Sequence, residues 1–480
     1  MEADIDPSTI TPEMLGTLLL NIFCPKTEVI KESTKILKKY FELHSCLGPL
    51  LSYATASTDD RIRLLACICL RKKLVNHWIV QDTSFKSTMK EVLLKAFVSE
   101  TVPKVRENIS YVIGVLAFLL IPNNEWPELF TIILSKCQNP DPNELQQGML
   151  LLYAVCDCLD KDLEPLINST VELLSKLINA KGCLILIVKT VNAMMKSGIS
   201  EESLTKVATL LPELVKVAIS SPNNDSLLHD IFDSLSDLVV TPKVLTPYLP
   251  MLIEVAISIA ENKDDSKELR TVVLMFVDSV IDSKPKIVKE DKSILVRILN
   301  VGFEVAKEEK GDDNEDSPAS AAIDLIERCA LKIANKIVYP MIIERCENFM
   351  KSTEPQARSA ALIILGASSK GIETPLKKNL ESIIDVILQY VKDPSMEVQE
   401  ACLITLCYFA DYISSSFVKY HSKVLPSLLS EIENKPDKLK ARILIALEIF
   451  CKNLEKEEIV QYLKPLLQLL VLYLNNPITY

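Results

Sequence analysis

The chain has 480 residues, with 53 basic against 64 acidic side chains and a formal net charge of −11; hydrophobic residues make up 48% of it but aromatics only 6%. An isoelectric point of about 5.2 argues against a general nucleic-acid binder, because phosphate contacts require clustered Lys and Arg, and favours basic partners instead. Ten glycines in 480 residues supply too few tight turns for a strand-rich fold, so the composition predicts an all-α chain.

In chain order, the acidic start Met1-Glu2-Ala3-Asp4-Ile5-Asp6 has neither the basic region nor the apolar stretch of a secretory signal, which predicts an intracellular protein. Helical hairpins are expected from near Pro12 onward. A phrase that opens an apolar helix then recurs at Ile62, Val105, Leu145, Ile185, Leu227, Leu269, about Ala321, Ala357, Val398 and Leu439, most of these about 40 residues apart. That period belongs to helix-pair HEAT or armadillo repeats. The predicted fold is an α-solenoid, a superhelix of about eleven and a half HEAT-type hairpins forming one array over residues 1–480, in which each repeat buries its face only against its neighbours.

Within each pair the second helix reads as apolar all round, as in Leu362-Ile363-Ile364-Leu365 and in Leu403 to Ala410, which predicts a helix sandwiched between repeats. The first helix is more amphipathic, as in Ile383 to Lys392, and should form an outer layer. The residue after the repeating hydrophobe is often long and polar: Arg63, Arg106, Arg270, Arg358, Gln399 and Lys440. One such group per repeat can build a polar ladder that fixes register where the other contacts are non-directional; the alternative is a solvated helix start. Prolines such as Pro103, Pro142, Pro340, Pro355 and Pro426 are read as marking helix starts and corners, where a missing N–H costs nothing.

The apolar run from Ile109 to Ile121 is shorter than the ~20 residues a bilayer requires, so no membrane insertion is expected. Cys67 and Cys69, like Cys156 and Cys158, lie two apart on helices and point to different faces, so the thirteen cysteines read as reduced core thiols rather than metal ligands. His44, His77, His229 and His421 stand alone, and no Gly-rich phosphate loop is present. No cofactor, metal site or catalytic group is expected.

The most polar stretch, residues 307–318, falls where the repeat spacing stretches to about 52 and reads as an acidic insertion carrying Asp312, Asp313, Glu315 and Asp316. It is either a solvated linker or a contact for a basic ligand. At the far end Leu463, Leu466, Leu467, Leu470, Val471 and Leu474 give a helix with more apolar surface than one neighbour can cover.

The segment from Val29 to Trp78 resembles the N-terminal module of the importin-β superfamily, the karyopherin-β nuclear transport receptors. The likeness is carried by Ser33-Thr34-Lys35-Ile36-Leu37, by Asp59-Asp60-Arg61-Ile62-Arg63-Leu64-Leu65-Ala66, and by Leu70-Arg71-Lys72-Lys73-Leu74 running to Trp78, with the module taken as residues 29–80. Thr101-Val102-Pro103-Lys104-Val105-Arg106 looks like the start of its next helix. The acidic insertion followed by Ser320 to Ile337 is similar to the importin-4 and importin-5 branch.

The resemblance implies a receptor that binds the GTP form of Ran through the inner helices of its first repeats, with candidate contacts at Lys72, Asn76, Trp78, Lys104 and Arg106. Trp78 can instead close the apolar end of its helix, and Arg106 also belongs to the ladder set. It further implies protein cargo, Phe-Gly nucleoporins that insert phenylalanine between outer helices, residence in cytoplasm, nucleus and nuclear pore, and an acidic loop that couples Ran binding to cargo release. Leu249, Met251, Leu252, Val255 and Ile259 are expected to line such clefts. Receptors of this family carry many more repeats, so either the chain is the N-terminal portion of one or a partner covers its last helix. The alternative function is a Ran-independent HEAT scaffold or regulatory subunit.

Overall fold

The computed structural model describes residues 6–180, 182–221, 224–239, 243–309 and 317–475, and among them every regular element is helical. By internal contacts the chain forms two compact units, residues 1–227 and 228–480.

The first unit runs α1 (Pro12–Asn21), α2 (Thr27–Tyr40), α3 (Leu47–Ala56), α4 (Asp60–His77), α5 (Thr83–Ser99), α6 (Pro103–Leu120), α7 (Glu128–Cys137), α8 (Pro142–Leu159), α9 (Ile167–Leu177), α10 (Leu184–Lys196), α11 (Glu201–Ala208) and α12 (Leu211–Ile219). Helix α13 (Asn224–Leu238) spans the boundary. The second unit continues with α14 (Leu249–Glu261), α15 (Lys267–Ser283), α16 (Lys286–Glu290), α17 (Lys292–Val305), α18 (Pro318–Lys332), α19 (Asn335–Met350), α20 (Pro355–Ser368), α21 (Glu373–Leu376), α22 (Leu380–Gln389), α23 (Met396–Tyr412), α24 (Ser414–Phe417), α25 (His421–Glu431), α26 (Asp437–Lys452), α27 (Lys456–Ile459) and α28 (Leu463–Asn475).

Second helices stack in a row: α4, α6, α8 and α10 in the first unit, and α15, α18, α20, α23 and α26 in the second. Each first helix packs on its own partner, as α3 on α4, α7 on α8 and α19 on α20. Polar side chains and prolines set the starts. Asp59, Asp141 and Ser317 accept from the first-turn amides of Arg61, Asn143 and Ser320 at 2.9, 3.0 and 3.2 Å, and Pro103, Pro142, Pro318 and Pro355 each occupy a first helical position. Pro340 and Pro426 depart from the sequence expectation, for they lie inside α19 and α25, where each removes an intrahelical bond that neighbours such as the buried Val338, Ile342 and Val424 compensate by packing.

The apolar character of second helices has the predicted cause. Every residue of α20 from Ser359 to Ser368 is buried among α18, α19 and α23. Helices come close enough that Gly114 on α6 has no room for a side chain: a Cβ there would lie 2.3 Å from the Ala154 carbonyl oxygen of α8. Helix α6 with the turn after it, Pro103–Asn123, is long and apolar enough to cross a membrane, longer than the apolar run alone suggests. It lies between α4 and α8, and Ile109, Val112, Ile113, Leu116 and Ala117 are buried there. The repeat phase assigned at Ile185 is displaced, since that side chain is exposed and the core positions of α10 are Ile187 and Val188.

The polar ladder is present. Arg63 spans to Glu100 with bonds of 2.8 and 3.1 Å and donates to the Ser57 carbonyl at 2.8 Å. Arg270 pairs with Glu308 at 2.8 and 2.7 Å and with the Ala260 carbonyl at 3.0 and 2.9 Å; Arg358 pairs with Asp393 at 2.9 Å twice and with the carbonyls of Ser352 and Thr353. Each arginine thus satisfies the C-terminal carbonyls of its own hairpin's first helix, or of the turn after it, and reaches one repeat onward, which is how a directional contact sets register in an apolar stack. Gln399 makes only the carbonyl half of the pattern, on Asp393, and Lys440 departs from it, pairing with Asp437 of its own helix at 3.4 Å.

On α28 only Leu469 of the described leucines is buried, while Leu467, Leu470 and Val471 are 56–58% exposed; the Leu474 side chain lies outside the described residues. Several hundred Å² of such surface is worth on the order of ten kcal/mol of burial before association costs. Isolated 1–480 is therefore expected to self-associate as concentration rises, and Leu467→Gln with Val471→Lys to hold it monomeric. A strictly monomeric parent in sedimentation velocity would refute this.

Candidate functional site

The row α4, α6, α8, α10 presents one edge of each second helix to solvent, and three of the residues picked from sequence lie there. Lys72 and Asn76 are exposed one turn apart on α4, and Lys104 is exposed in the first turn of α6. The other two do not. Trp78 is 5% exposed and closes the end of α4, with the Lys86 ammonium 5.3 Å over its ring. The Arg106 guanidinium is turned inward, donating through Nε to the Glu100 carbonyl at 3.0 Å and reaching Asn143 at 3.5 Å, so it serves the ladder.

Along the same row runs a column that sequence reading missed. Arg71 lies 5.4 Å over the Tyr111 ring, Tyr111 meets Tyr153 edge to face at 6.1 Å, and Lys189 lies 5.8 Å over Tyr153. The four residues come from α4, α6, α8 and α10 in turn, one per repeat. The Tyr111 hydroxyl donates to Glu107 at 2.9 Å, and burial followed by that carboxylate pushes its pKa upward. Burial likewise raises Asp157, opposed by the charge of Arg71. The signal was there in the sequence: two tyrosines 42 positions apart, close to one repeat, in a chain poor in aromatics. The face combines cations, amides and flat rings, the composition of a protein-docking surface rather than of a reaction centre.

Two histidines read as isolated are in fact paired. His77 directs Nε2 at the Phe41 carbonyl at 2.9 Å, so that nitrogen carries the proton, and its Nδ1 then accepts from His44 Nδ1 at 2.9 Å. Among the described residues no group of three or more His, Cys, Asp or Glu could hold a metal. The cysteines are free; burial pushes Cys67 up to about 12 and Cys46 up to about 11, leaving inert thiols at neutral pH.

In the second unit a groove of about 340 Å³ opens between α15 and α18, with Asp278, Asp324 and Glu327 on its walls and Thr271, Ser279 and Ser320 beside them. Burial raises the pKa of Asp278 and of Glu327, with cations opposing it in both cases. Asp312, Asp313, Glu315 and Asp316 lie outside the described residues. The flanks of that insertion are fixed, by Glu308 on Arg270 before it and by Ser317 capping α18 after it.

Apolar clefts open between first helices. One of about 290 Å³ lies at α19 and α22, lined by Ile343, Met350, Ile383 and Val386; another of about 390 Å³ lies between the start of α7 and the segment leading into α9, lined by Trp126, Phe130, Pro165 and Leu166. On helix α14 Leu249, Leu252 and Ile259 face inward and are buried, so of the five residues expected at a cleft only the half-buried Met251 and Val255 reach the surface.

Comparison with known proteins agrees with this architecture. The family model of IPO5-like TPR repeats matches residues 101–255. The chain is 25% identical over 471 residues to the probable importin subunit beta-4 of Schizosaccharomyces pombe, covering 95% of the chain and 44% of that protein. It is 22% identical to importin-4 of Homo sapiens, covering 88% of the chain and 41% of the relative, and 23% identical to importin subunit beta-3 of Saccharomyces cerevisiae, covering 97% and 46%. The chain thus spans less than half the length of the curated relatives it matches. The structure of Kap121p bound to RanGTP superposes with a TM-score of 0.81 at 21% identity, covering 97% of this chain and 47% of that one; Kap121p bound to Nup53p gives 0.80 with 97% and 48% covered. These likenesses give the same helical solenoid fold.

Proposed function

We propose, on the premise that the chain is an importin-β superfamily karyopherin by descent, that it is the N-terminal arm of a nuclear transport receptor moving between cytoplasm and nucleus. Its first repeats bind Ran in the GTP form and its second unit takes a basic segment of protein cargo. The observation that carries the reading is the second-helix row α4, α6, α8 and α10, which carries the exposed Lys72, Asn76 and Lys104 and the Arg71–Tyr111–Tyr153–Lys189 column. Kap121p, which shares the fold, has been solved with RanGTP. Trp78 and Arg106 position this face from within.

The test is capture of the chain on Ran loaded with GTP, with GDP, or with neither. Preference for GTP is expected; equal or absent capture would favour the scaffold alternative. Of cargo, the carboxylates of the α15–α18 groove call for a cationic peptide, since Asp278 and Glu327 are partly withdrawn from water and gain from an opposite charge, with the exposed Asp324 beside them. The insertion bearing Asp312, Asp313, Glu315 and Asp316 adds negative charge between α17 and α18.

Phe-Gly nucleoporin segments are the proposed occupants of the first-helix clefts, which are apolar and sized for a phenyl ring. Ile383→Glu with Val386→Glu is expected to reduce retention on immobilised Phe-Gly repeats severalfold, leaving Ran binding intact. Undiminished retention of that variant would place the nucleoporin contact elsewhere.

A further inference from the structure

The arginine of the α15–α18 groove is held differently from those of the ladder. Arg270 and Arg358 are 5% and 12% exposed, and each is tied to backbone carbonyls as well as to a carboxylate. Arg328 is 36% exposed, and among the described residues its bonds go to side-chain carboxylates alone: Nε to Asp278 at 3.1 Å and Nη1 to Asp282 at 2.9 Å. Lys332 adds a third contact to Asp282 at 2.9 Å. Both cations project from α18 and both carboxylates from α15. A ladder arginine cannot leave without stranding carbonyls, but Arg328 can move to solvent without leaving a backbone group of the described residues unpaired.

The groove it borders has the marks of a ligand site. Thr271 on its wall is 7% exposed, and its hydroxyl has no partner among the described residues. A buried hydroxyl without a partner costs free energy unless something supplies one, and a ligand ammonium or amide does so. Asp324 and Glu327 stand on the same wall.

We propose that Arg328 is an internal stand-in for a ligand's cation: it neutralises Asp278 and Asp282 in the free protein and swings out when a peptide carrying neighbouring cationic side chains enters. The inference rests on the reading that this groove takes basic cargo, and it adds the regulation of that site. Competition with an internal guanidinium weakens every cationic ligand, and it does so most for those offering a single charge. Arg328 therefore sets a threshold of charge number, below which a passing lysine cannot compete.

The test uses fluorescence anisotropy of the full 1–480 chain with two labelled peptides, one carrying a pair of adjacent lysines and one a single lysine, each compared with its lysine-acetylated form. Arg328→Gln is expected to bind the paired peptide roughly tenfold more tightly than the parent chain, and to gain measurable affinity for the single-lysine peptide, because a like charge a few ångströms from the ligand has been removed. Arg328→Lys, which retains the charge and guards against an effect of altered packing, should stay near the parent. Asp278→Asn should weaken both peptides. Equal or weaker binding by Arg328→Gln overturns the inference and makes Arg328 a strut of the groove. If the parent binds the paired peptide and Arg328→Gln gains nothing, only this inference falls; if neither chain binds above its acetylated control, the cargo reading of the groove falls with it.

Discussion

Lys72→Glu combined with Lys104→Glu is expected to weaken binding to Ran-GTP by on the order of a hundredfold, because each reversal replaces an attraction with a repulsion at the centre of a docking face. Both side chains are exposed, so helical content and melting temperature should stay those of the parent. Arg106 is left out of the pair on purpose. Its guanidinium serves the Glu100 carbonyl and Asn143, and reversing it would disturb the α4–α6–α8 stack whether or not Ran is involved. Calorimetric titration with the GTP-loaded GTPase distinguishes the cases. Unchanged affinity in the double variant would move the Ran contact off this face, whereas a loss accompanied by a lower melting temperature would mean that the surface had been misjudged as free. Tyr153→Ala offers a finer probe: it removes the ring shared by Tyr111 and Lys189, and severalfold weaker binding with unaltered stability would make the column part of the contact.

Much of the fold could be read because a solenoid repeats one problem. Each hairpin must open after a cap, bury a second helix on both sides and hand one polar group to the next hairpin, so the same residue types return at one phase. Arg63, Arg270 and Arg358 were identified from phase alone, and all three make the expected ladder contact. The site was less legible because its chemistry lies between repeats. Arg71 gains its meaning from Tyr111, which is 40 positions away, and Asp278 from Arg328, which is 50 positions away and across the insertion that breaks the period. Periodicity says which positions face the core, but for those that face solvent it cannot say which neighbour a long side chain will reach. The same limit explains Trp78, whose ring type suggested contact while its position at the end of α4 favoured burial. It also explains the His44 and His77 pair, which no motif links.

The ladder itself should carry the largest stability effect. Asp393 is 7% exposed, and although burial alone would raise its pKa, the Arg358 guanidinium and the Ser395 amide outweigh that and hold the carboxyl below its ordinary value. Removing one partner strands a buried charge, so Arg358→Met or Asp393→Leu alone should cost about 3–5 kcal/mol, whereas the two together should restore only the part due to the unpaired charge, because the Ser352 and Thr353 carbonyls still lose their donor and the Ser395 amide its acceptor. A carboxylate with a depressed folded pKa stabilises the protein above its unfolded pKa and loses that contribution as pH falls through the folded one. The Glu100 carboxyl at Arg63 is lowered in the same sense, against the opposing pull of burial. The parent chain should therefore lose stability as pH drops below the usual carboxylate range, and the Arg358→Met, Asp393→Leu double variant should lose less over that interval. Hydrogen exchange of α20 and α23 reads the effect locally, which matters because a repeat array need not unfold in one step. If the single variants protect those helices as well as the parent does, the ladder is solvated decoration, and register in this array comes from apolar packing such as that between Gly114 and Ala154.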